Sequence, residues 1–241
     1  MARTVKAEEF ASKRREILNA TQRLVLTKGY EQMSIQDILN EVQISSGAFH
    51  HYFASRGALL DAFIEQIKQQ SGEPLLQIIQ NPQLSAIEKF QGFFDTLDSL
   101  RIEHKAEVIS IGRVWYSDDN TIIRQKVDEA VIEMRAPLLS EIVHQGIQES
   151  VFTAAYPDQA GEVIMSLLQG MGNTHARLLL SFEQQRDDAF DAVQTEKIVA
   201  IHEAYMDAIE RILGVPAHTF YRATPEAVKF WVDALRESKS A

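Results

Sequence analysis

Residues 34–53 read SIQDILNEVQISSGAFHHYF. Behind Ser34, the apolar residues Ile35, Ile38, Leu39 and Val42 recur at helical spacing, and Asp37 stands three residues after the serine, where a capping-box carboxylate belongs. The pattern predicts a short helix of about two turns that breaks at Gln43 and Ile44. Ser45 is a second N-cap and opens another short helix. There Phe49 and Phe53, four residues apart, share one face and turn inward. His50, His51 and Tyr52 are thereby turned outward. Gly47 lets the backbone approach another surface closely, and Ser45 and Ser46 can donate to phosphate oxygens alongside unpaired backbone N–H groups.

The flanking residues extend the pattern. Ile17, Ala20, Thr21, Leu24 and Val25 mark a longer helix that stops at Gly29. Ser55 can cap a fourth helix through Leu59, Leu60, Phe63, Ile64 and Ile67, which is expected to end near Gly72 and Pro74. Two short helices joined by a tight turn behind a longer one is the order of a helix-turn-helix, whose second short helix enters the DNA major groove.

Charge supports that assignment by its distribution. The 241 residues carry a net charge of −10, which by itself disfavours phosphate as a partner. Yet Met1 to Gly72 holds nine Lys/Arg against eight Asp/Glu, and the remainder fifteen against twenty-six, so the acidity sits in the second part. Seven basic and three acidic side chains fall in the first thirty residues, with Lys13, Arg14 and Arg15 together. Residues Arg3 to Arg15 read as a basic arm longer than the fold needs: a disordered segment that adds only nonspecific attraction, or one from which Arg3 or Lys6 reaches the minor groove. The chain contains no cysteine, so neither disulfides nor thiolate metal sites are available. With no apolar leader and no apolar run of about 18 residues, a cytoplasmic protein without membrane spans is predicted.

From Leu75 onward every periodic segment is helical, and no strand alternation appears. Apolar spacing marks helices around Phe90–Leu100, Val108–Trp115, Ile122–Ile147 and Ala160–Leu180. Pro137 falls inside one of them and is expected to kink it, which can leave room for a ligand or leave no cavity at all. Val163, Leu167 and Gly170, and after them Ile198, Ile201, Tyr205 and Ile212, form narrow seams suited to pairing with another helix. Core packing within one subunit would give the same pattern. Pro216 breaks the chain after Gly214, and Thr224-Pro225-Glu226 opens a terminal helix.

The run LNATQRLVLTKGYEQMSIQDILNEVQISSGAFHHYFASRGALLDAF, Leu18 to Phe63, resembles the N-terminal domain of the TetR family of bacterial transcriptional repressors. The likeness rests on Gly29-Tyr30, Ser34 opening the second helix, Asp37-Ile38, Tyr52-Phe53, and Arg56 ahead of Leu59-Leu60. It covers about the first quarter of the chain. Gln43 stands where a glycine is usual, His50 where tyrosine is usual, Ala48 where threonine is common, and Gly57 where an acidic residue often follows.

The resemblance implies an all-α fold, with a three-helix helix-turn-helix domain (residues 1–72) joined by a connector helix to a helical ligand-binding and dimerisation domain (residues 73–241). It implies DNA contacts from Ser34, Gln36, Ser45, Ser46, Gly47, Ala48, His50, His51, Tyr52 and Arg56. Ser34 and Arg56 would hold phosphates, Gln36 and Ser46 would read base edges, and the Ala48 methyl could meet a thymine. The last two main helices would form a dimer seam through the residues named above. An effector would lie among the middle helices, where Phe94, Trp115, Tyr116, Met134, His144, Met171, Asn173 and His175 offer apolar surface with polar tips. The excess of acidic residues would suit a cationic effector or simply a solvated face.

The expected partners are thus an operator duplex, a small-molecule effector and a second copy of the chain. No cofactor, metal or catalytic residue is expected: there is no HExxH spacing, phosphate-cradling glycine loop or nucleophile elbow, and Ser117-Asp118-Asp119-Asn120 lacks the glycine and distal glutamate of a calcium loop. The competing class is an all-helical adaptor that binds protein through its seam helices and does not read DNA sequence.

Overall fold

The computed structural model describes residues 2–185 and 187–238; the side chains of residues 2–6, Arg3 and Lys6 among them, and of residues 70–74 lie outside that description. The described residues are helical throughout, without a strand. The helices are α1 (Ala2–Thr27), α2 (Ile35–Val42), α3 (Ser46–Tyr52), α4 (Arg56–Ile79), α5 (Ala86–Glu103), α6 (Lys105–Trp115), α7 (Thr121–Gln148), α8 (Pro157–Ser181), α9 (Asp188–Leu213) and α10 (Pro225–Glu237), with a single 3-10 turn at Asp118–Asn120. No helix among them is long and apolar enough to cross a membrane.

Two compact units are formed, residues Met1–Gln70 with Val114–Val127, and Ser71–Arg113 with Asp128–Ala241. The segment Val114–Val127, placed with the second domain by the sequence, packs with the first.

In the first unit the local signals act as read. Ser34 caps α2 and Asp37 closes the box, while Ser45 Oγ accepts from the Ala48 amide to cap α3. Ile17, Ala20, Val25, Ile38, Leu39, Phe49, Phe53, Leu59, Leu60 and Phe63 are all buried. Each large member stabilises the unit by at most about 1.5–3 kcal/mol. The turn closes through Gln43, whose backbone is left-handed at φ 55° and ψ 49° with its N–H on Leu39 O. A side chain in that conformation costs about 1 kcal/mol relative to glycine. The chain tolerates it because the α2–α3 angle is fixed by burial on both sides.

Two boundaries differ from the sequence reading. The basic arm is helical, because α1 begins at Ala2; its Ala, Glu, Arg and Lys residues are good helix formers. Helix α4 passes through Gly72 and Pro74 to Ile79. One backbone bond lost at a proline is outweighed by Leu75 and Ile79, which are 1% and 5% exposed. Helix α7 spans Pro137 as the sequence reading of Ile122–Ile147 expected. Beside it, α8 passes so closely that a Cβ on Gly161 would lie 2.2 Å from the Ala136 carbonyl oxygen. Only glycine admits that contact, and the approach of α8 fills the space the proline was expected to leave.

The second unit is centred on Phe90, Phe93, Leu139, Val143, Ile164, Met206 and Ile209, all buried. Terminal helix α10 packs back on it, setting Val228 and Val232 against Phe182 and Ile198. The loop before α10 is organised by Glu210, a buried carboxylate that accepts from the amides of His218 and Phe220 at 3.1 and 3.0 Å and pairs with Arg222.

Candidate nucleic-acid interface

Helices α2 and α3 present Gln36, Ser45, Ser46, Gly47, His50 and His51 as exposed residues on one module, with Ala48 and Tyr52 half-buried. Gly47 is not required by packing: a Cβ there would meet nothing nearer than Ser45 Oγ at 4.0 Å. A glycine that the fold does not need, in an exposed helix that would be more stable with alanine, is free to serve close approach by a partner.

Several expected contacts are tied up inside the protein. The Ser34 hydroxyl and amide both donate to Asp37 Oδ2 at 2.7 Å, and Lys28 Nζ reaches the same oxygen at 2.7 Å. Lys28 and the Ser34 groups together hold the Asp37 carboxyl well below the usual carboxylate range. Arg56, expected to grip a phosphate, instead donates to the Tyr30 carbonyl and lies 4.3 Å over the Tyr30 ring. It is half-buried there, so a phosphate contact would require it to leave the ring. His51 and Tyr52 are also not bare. Phe10 of α1 meets them with ring centroids 5.4 and 4.8 Å apart. Gln36 holds Asn40 at 2.8 Å.

Asn120, read from the sequence only as the end of the Ser117–Asn120 stretch, has a different role. This residue is fully buried; its Oδ1 accepts from the Tyr30 amide at 2.7 Å, and its Nδ2 donates to the carbonyls of Val25 and Val114 at 3.2 and 2.9 Å. Next to it, Gly29 at φ 87° leaves room for Asp119, whose Cβ would lie 2.7 Å from a Cβ at that glycine. Gly29 is thus needed both for its backbone conformation and for this approach. Asn120→Ala is expected to cost about 2–4 kcal/mol by orphaning a buried amide and two carbonyls. A thermal melt within half a degree of the parent would contradict the assigned role.

The residues nominated for an effector are not all brought together. Trp115 and Tyr116 belong to the first unit, where Arg124 donates to the Trp115 carbonyl at 2.7 Å and lies 5.3 Å from the Tyr116 ring. His144 is at the surface of the second unit, held by Ser140 O and Asp158. Phe94 packs on Phe90 and Phe93, and Met171 is buried in the same core. Asn173 donates to Asp128 at 2.8 Å, and Met134 is half-buried on α7.

His175 has a partner that the sequence reading did not name. Its ring stacks on His202 of α9, with centroids 5.7 Å apart and planes 13° from parallel. Burial lowers the His175 pKa to about 4, helped by the charges of His202 and Arg101. Burial lowers that of His202 as well. An unfolded histidine titrates near 6.5, so on acidification the unfolded chain takes up these protons first. The stability conferred by the neutral rings is complete above about pH 6.5 and is lost as pH falls toward 4, with about 2 kcal/mol gone at pH 5 from His175 alone. Urea melts at pH 7 and 5 should therefore differ more for the wild type than for His175→Phe. Equal differences would exclude the effect.

The seam residues divide. Val163 is 47% exposed, and Leu167, Ile201, Tyr205 and Ile212 are half-buried. Ile198 is 3% exposed, inside the chain's own core, because α10 folds over it; it is not part of an open seam. Gly170 faces Tyr205, whose hydroxyl would lie 3.2 Å from a Cβ there, so it serves the α8–α9 crossing within the chain.

An all-helical chain whose first unit carries a capped helix-turn-helix defines a DNA-binding regulator. The comparisons with known proteins agree and give the family. Residues 17–63 match the model of bacterial regulatory proteins of the tetR family, and residues 110–174 that of the tetracyclin repressor-like C-terminal domain. The chain belongs to the TetR family. It is similar to the HTH-type transcriptional repressor NemR of Escherichia coli K12, 24% identical over 182 residues, spanning 70% of this chain and 86% of that one. The structure of reduced E. coli NemR superposes with a TM-score of 0.53 at 20% identity, covering 85% of this chain and 100% of NemR. RolR in complex with resorcinol gives the same score at 19% identity, covering 93% of this chain and 95% of RolR. Among the described residues, no group of side chains is placed to hold a metal ion.

Proposed function

We propose that the protein is a homodimeric repressor that occupies a palindromic operator and is released from it by a small molecule. Residues 1–72 read the DNA; residues 73–241 bind the effector and pair the subunits. The observation that carries this reading is the α2–α3 module with its unpacked Gly47. Exposed Ser46, Gly47 and His50 lie on the helix that enters the major groove, with Gln36 beside them for a base edge. Ser34 and Arg56 would act chiefly by fixing the module and touch phosphate only after giving up the bonds described above.

Dimerisation follows from the task, since two recognition helices must meet half-sites one helical turn, or a multiple of it, apart. The apolar surface of Val163, Leu167, Ile201 and Ile212 supports α8 and α9 as that interface. Repression by occlusion of a promoter is the simplest action, and release is a population shift by an effector with differential affinity for the two states. Without any cysteine the chain has no thiol switch. A cytoplasmic location fits a DNA-binding regulator.

Fluorescence anisotropy against palindromic and random duplexes, including the DNA upstream of its own gene, tests the reading at about 50 and 200 mM salt. A saturable complex with one palindrome, two chains per duplex, is expected. Binding that is indifferent to sequence and erased by salt would favour the helical adaptor.

A further inference from the structure

Helix α1 extends well beyond what its unit needs for burial. Its first buried side chain is Ile17, and from Ala7 to Glu16 none is buried. A helical stretch without a buried face is ordinarily polar all round, and the residues here are otherwise Ala, Glu, Ser, Lys and Arg. Phe10 is the exception: a large apolar ring, 37% exposed, on a segment that adds nothing to the core.

That ring is directed at α3. Its centroid lies 5.4 Å from that of His51, edge to face, and 4.8 Å from that of Tyr52, with planes 30° apart. His51 and Tyr52 in turn meet edge to face at 5.4 Å, so the three rings close a triangle. One turn further along the same face of α1, Arg14 places its guanidinium 4.9 Å over the ring of Phe53, the C-cap of α3. Two successive turns of α1 thus grip the end of α3.

Helix α3 has little else to fix its rotation. It is 7 residues long, and Phe49 is its one buried residue. Phe49 and Phe53 anchor it from the inner side, and Phe10 bears on the outward residues that follow. Ring contacts of this kind engage carbon edges and leave polar tips free. Among the described residues, no hydrogen bond involves the His51 nitrogens or the Tyr52 hydroxyl, so both remain available to a phosphate or a base edge.

We infer that Phe10 is a positioning residue for DNA reading: it holds the rings of His51 and Tyr52, and with them the end of α3, in the orientation that meets the duplex. A side chain that is ordered only on docking loses rotamer freedom at the interface and subtracts from affinity; one ordered beforehand does not. The inference rests on α3 being the DNA-reading helix and adds a residue from outside the helix-turn-helix to its function.

The test uses the full-length protein and the palindrome selected by the duplex screen, with anisotropy read below the melting temperature of every variant. Phe10→Ala should weaken that complex by about fivefold or more, with a smaller change on random duplexes, whereas Phe10→Tyr, which keeps the ring, should stay within about twofold of the parent. A merely structural role would lower the active fraction found by stoichiometric titration and leave the dissociation constant of the folded protein unchanged. Combination with His51→Ala and with Tyr52→Ala locates the effect: once either ring is gone, the further loss from Phe10→Ala should shrink. Unchanged affinity of Phe10→Ala, tighter binding that makes Phe10 a shield, a loss that Phe10→Tyr shares, or a loss undiminished in both ring-deleted backgrounds would each overturn the inference and leave α3 as the reading helix. Absence of any sequence-specific complex in the wild type would refute the repressor reading and this inference together.

Discussion

Gly47→Ala is expected to weaken the complex with operator DNA by about tenfold or more while leaving the protein at least as stable as the parent. The two effects have opposite signs because they come from different surroundings. Within the chain the added methyl has open space, with Ser45 Oγ at 4.0 Å as its nearest neighbour. Alanine is the better helix former by up to about 1 kcal/mol, equivalent to about 2–4 °C in a domain of this size. At the DNA, the same methyl would stand where the start of α3 must approach the duplex, and a carbon in that gap keeps other contacts from closing. Thermal melting and anisotropy on one preparation check both halves. An unchanged operator affinity would mean that α3 does not approach DNA through this backbone. A lowered melting temperature would mean that the glycine belongs to the fold after all.

Glu210→Ala should be the most destabilising single change in the second unit, by about 3–5 kcal/mol. The carboxylate is 1% exposed and accepts from two backbone amides as well as pairing with Arg222. Removing it orphans the amides of His218 and Phe220 and leaves a guanidinium nearly buried beside Glu203 alone. Phe220 is itself part of the core and stacks on Phe90 with centroids 4.6 Å apart, so loosening the loop also costs apolar contact. A denaturant melt should reveal the loss. Glu210→Gln, which keeps an acceptor but no charge, should fall between the two. A loss below about 1 kcal/mol for the alanine variant would show that the loop is held by its apolar contacts instead.

These variants also mark where sequence reading reaches its limit. The helix-turn-helix was legible because every signal that makes it is local. Caps act over three residues, as Ser34 with Asp37, and the faces of short helices follow from residues four apart, as Phe49 with Phe53. Even the unusual turn at Gln43 was visible as a side chain in a glycine's place, and its backbone is left-handed. A continuous 3.6-residue period likewise gave the helical class of the remaining chain.

Where helices meet was not legible, since that is decided by packing between residues far apart in the chain. Asn120 reaches back 90 and 95 residues to Tyr30 and Val25. Nothing in its immediate neighbours distinguishes it from a helix cap. Ile198 kept its seam spacing, yet α10 covers it. Pro74 was read as a helix end, but burial of the flanking Leu75 and Ile79 carried α4 through. His175 was named without its partner, and only the folded chain stacks it on His202. The sequence by itself determined the helices, their caps and the DNA-reading module, all set by interactions within a turn or two. Tertiary structure alone decided which polar groups became buried together, because burial strengthens or orphans a charge according to neighbours that the order of residues does not name.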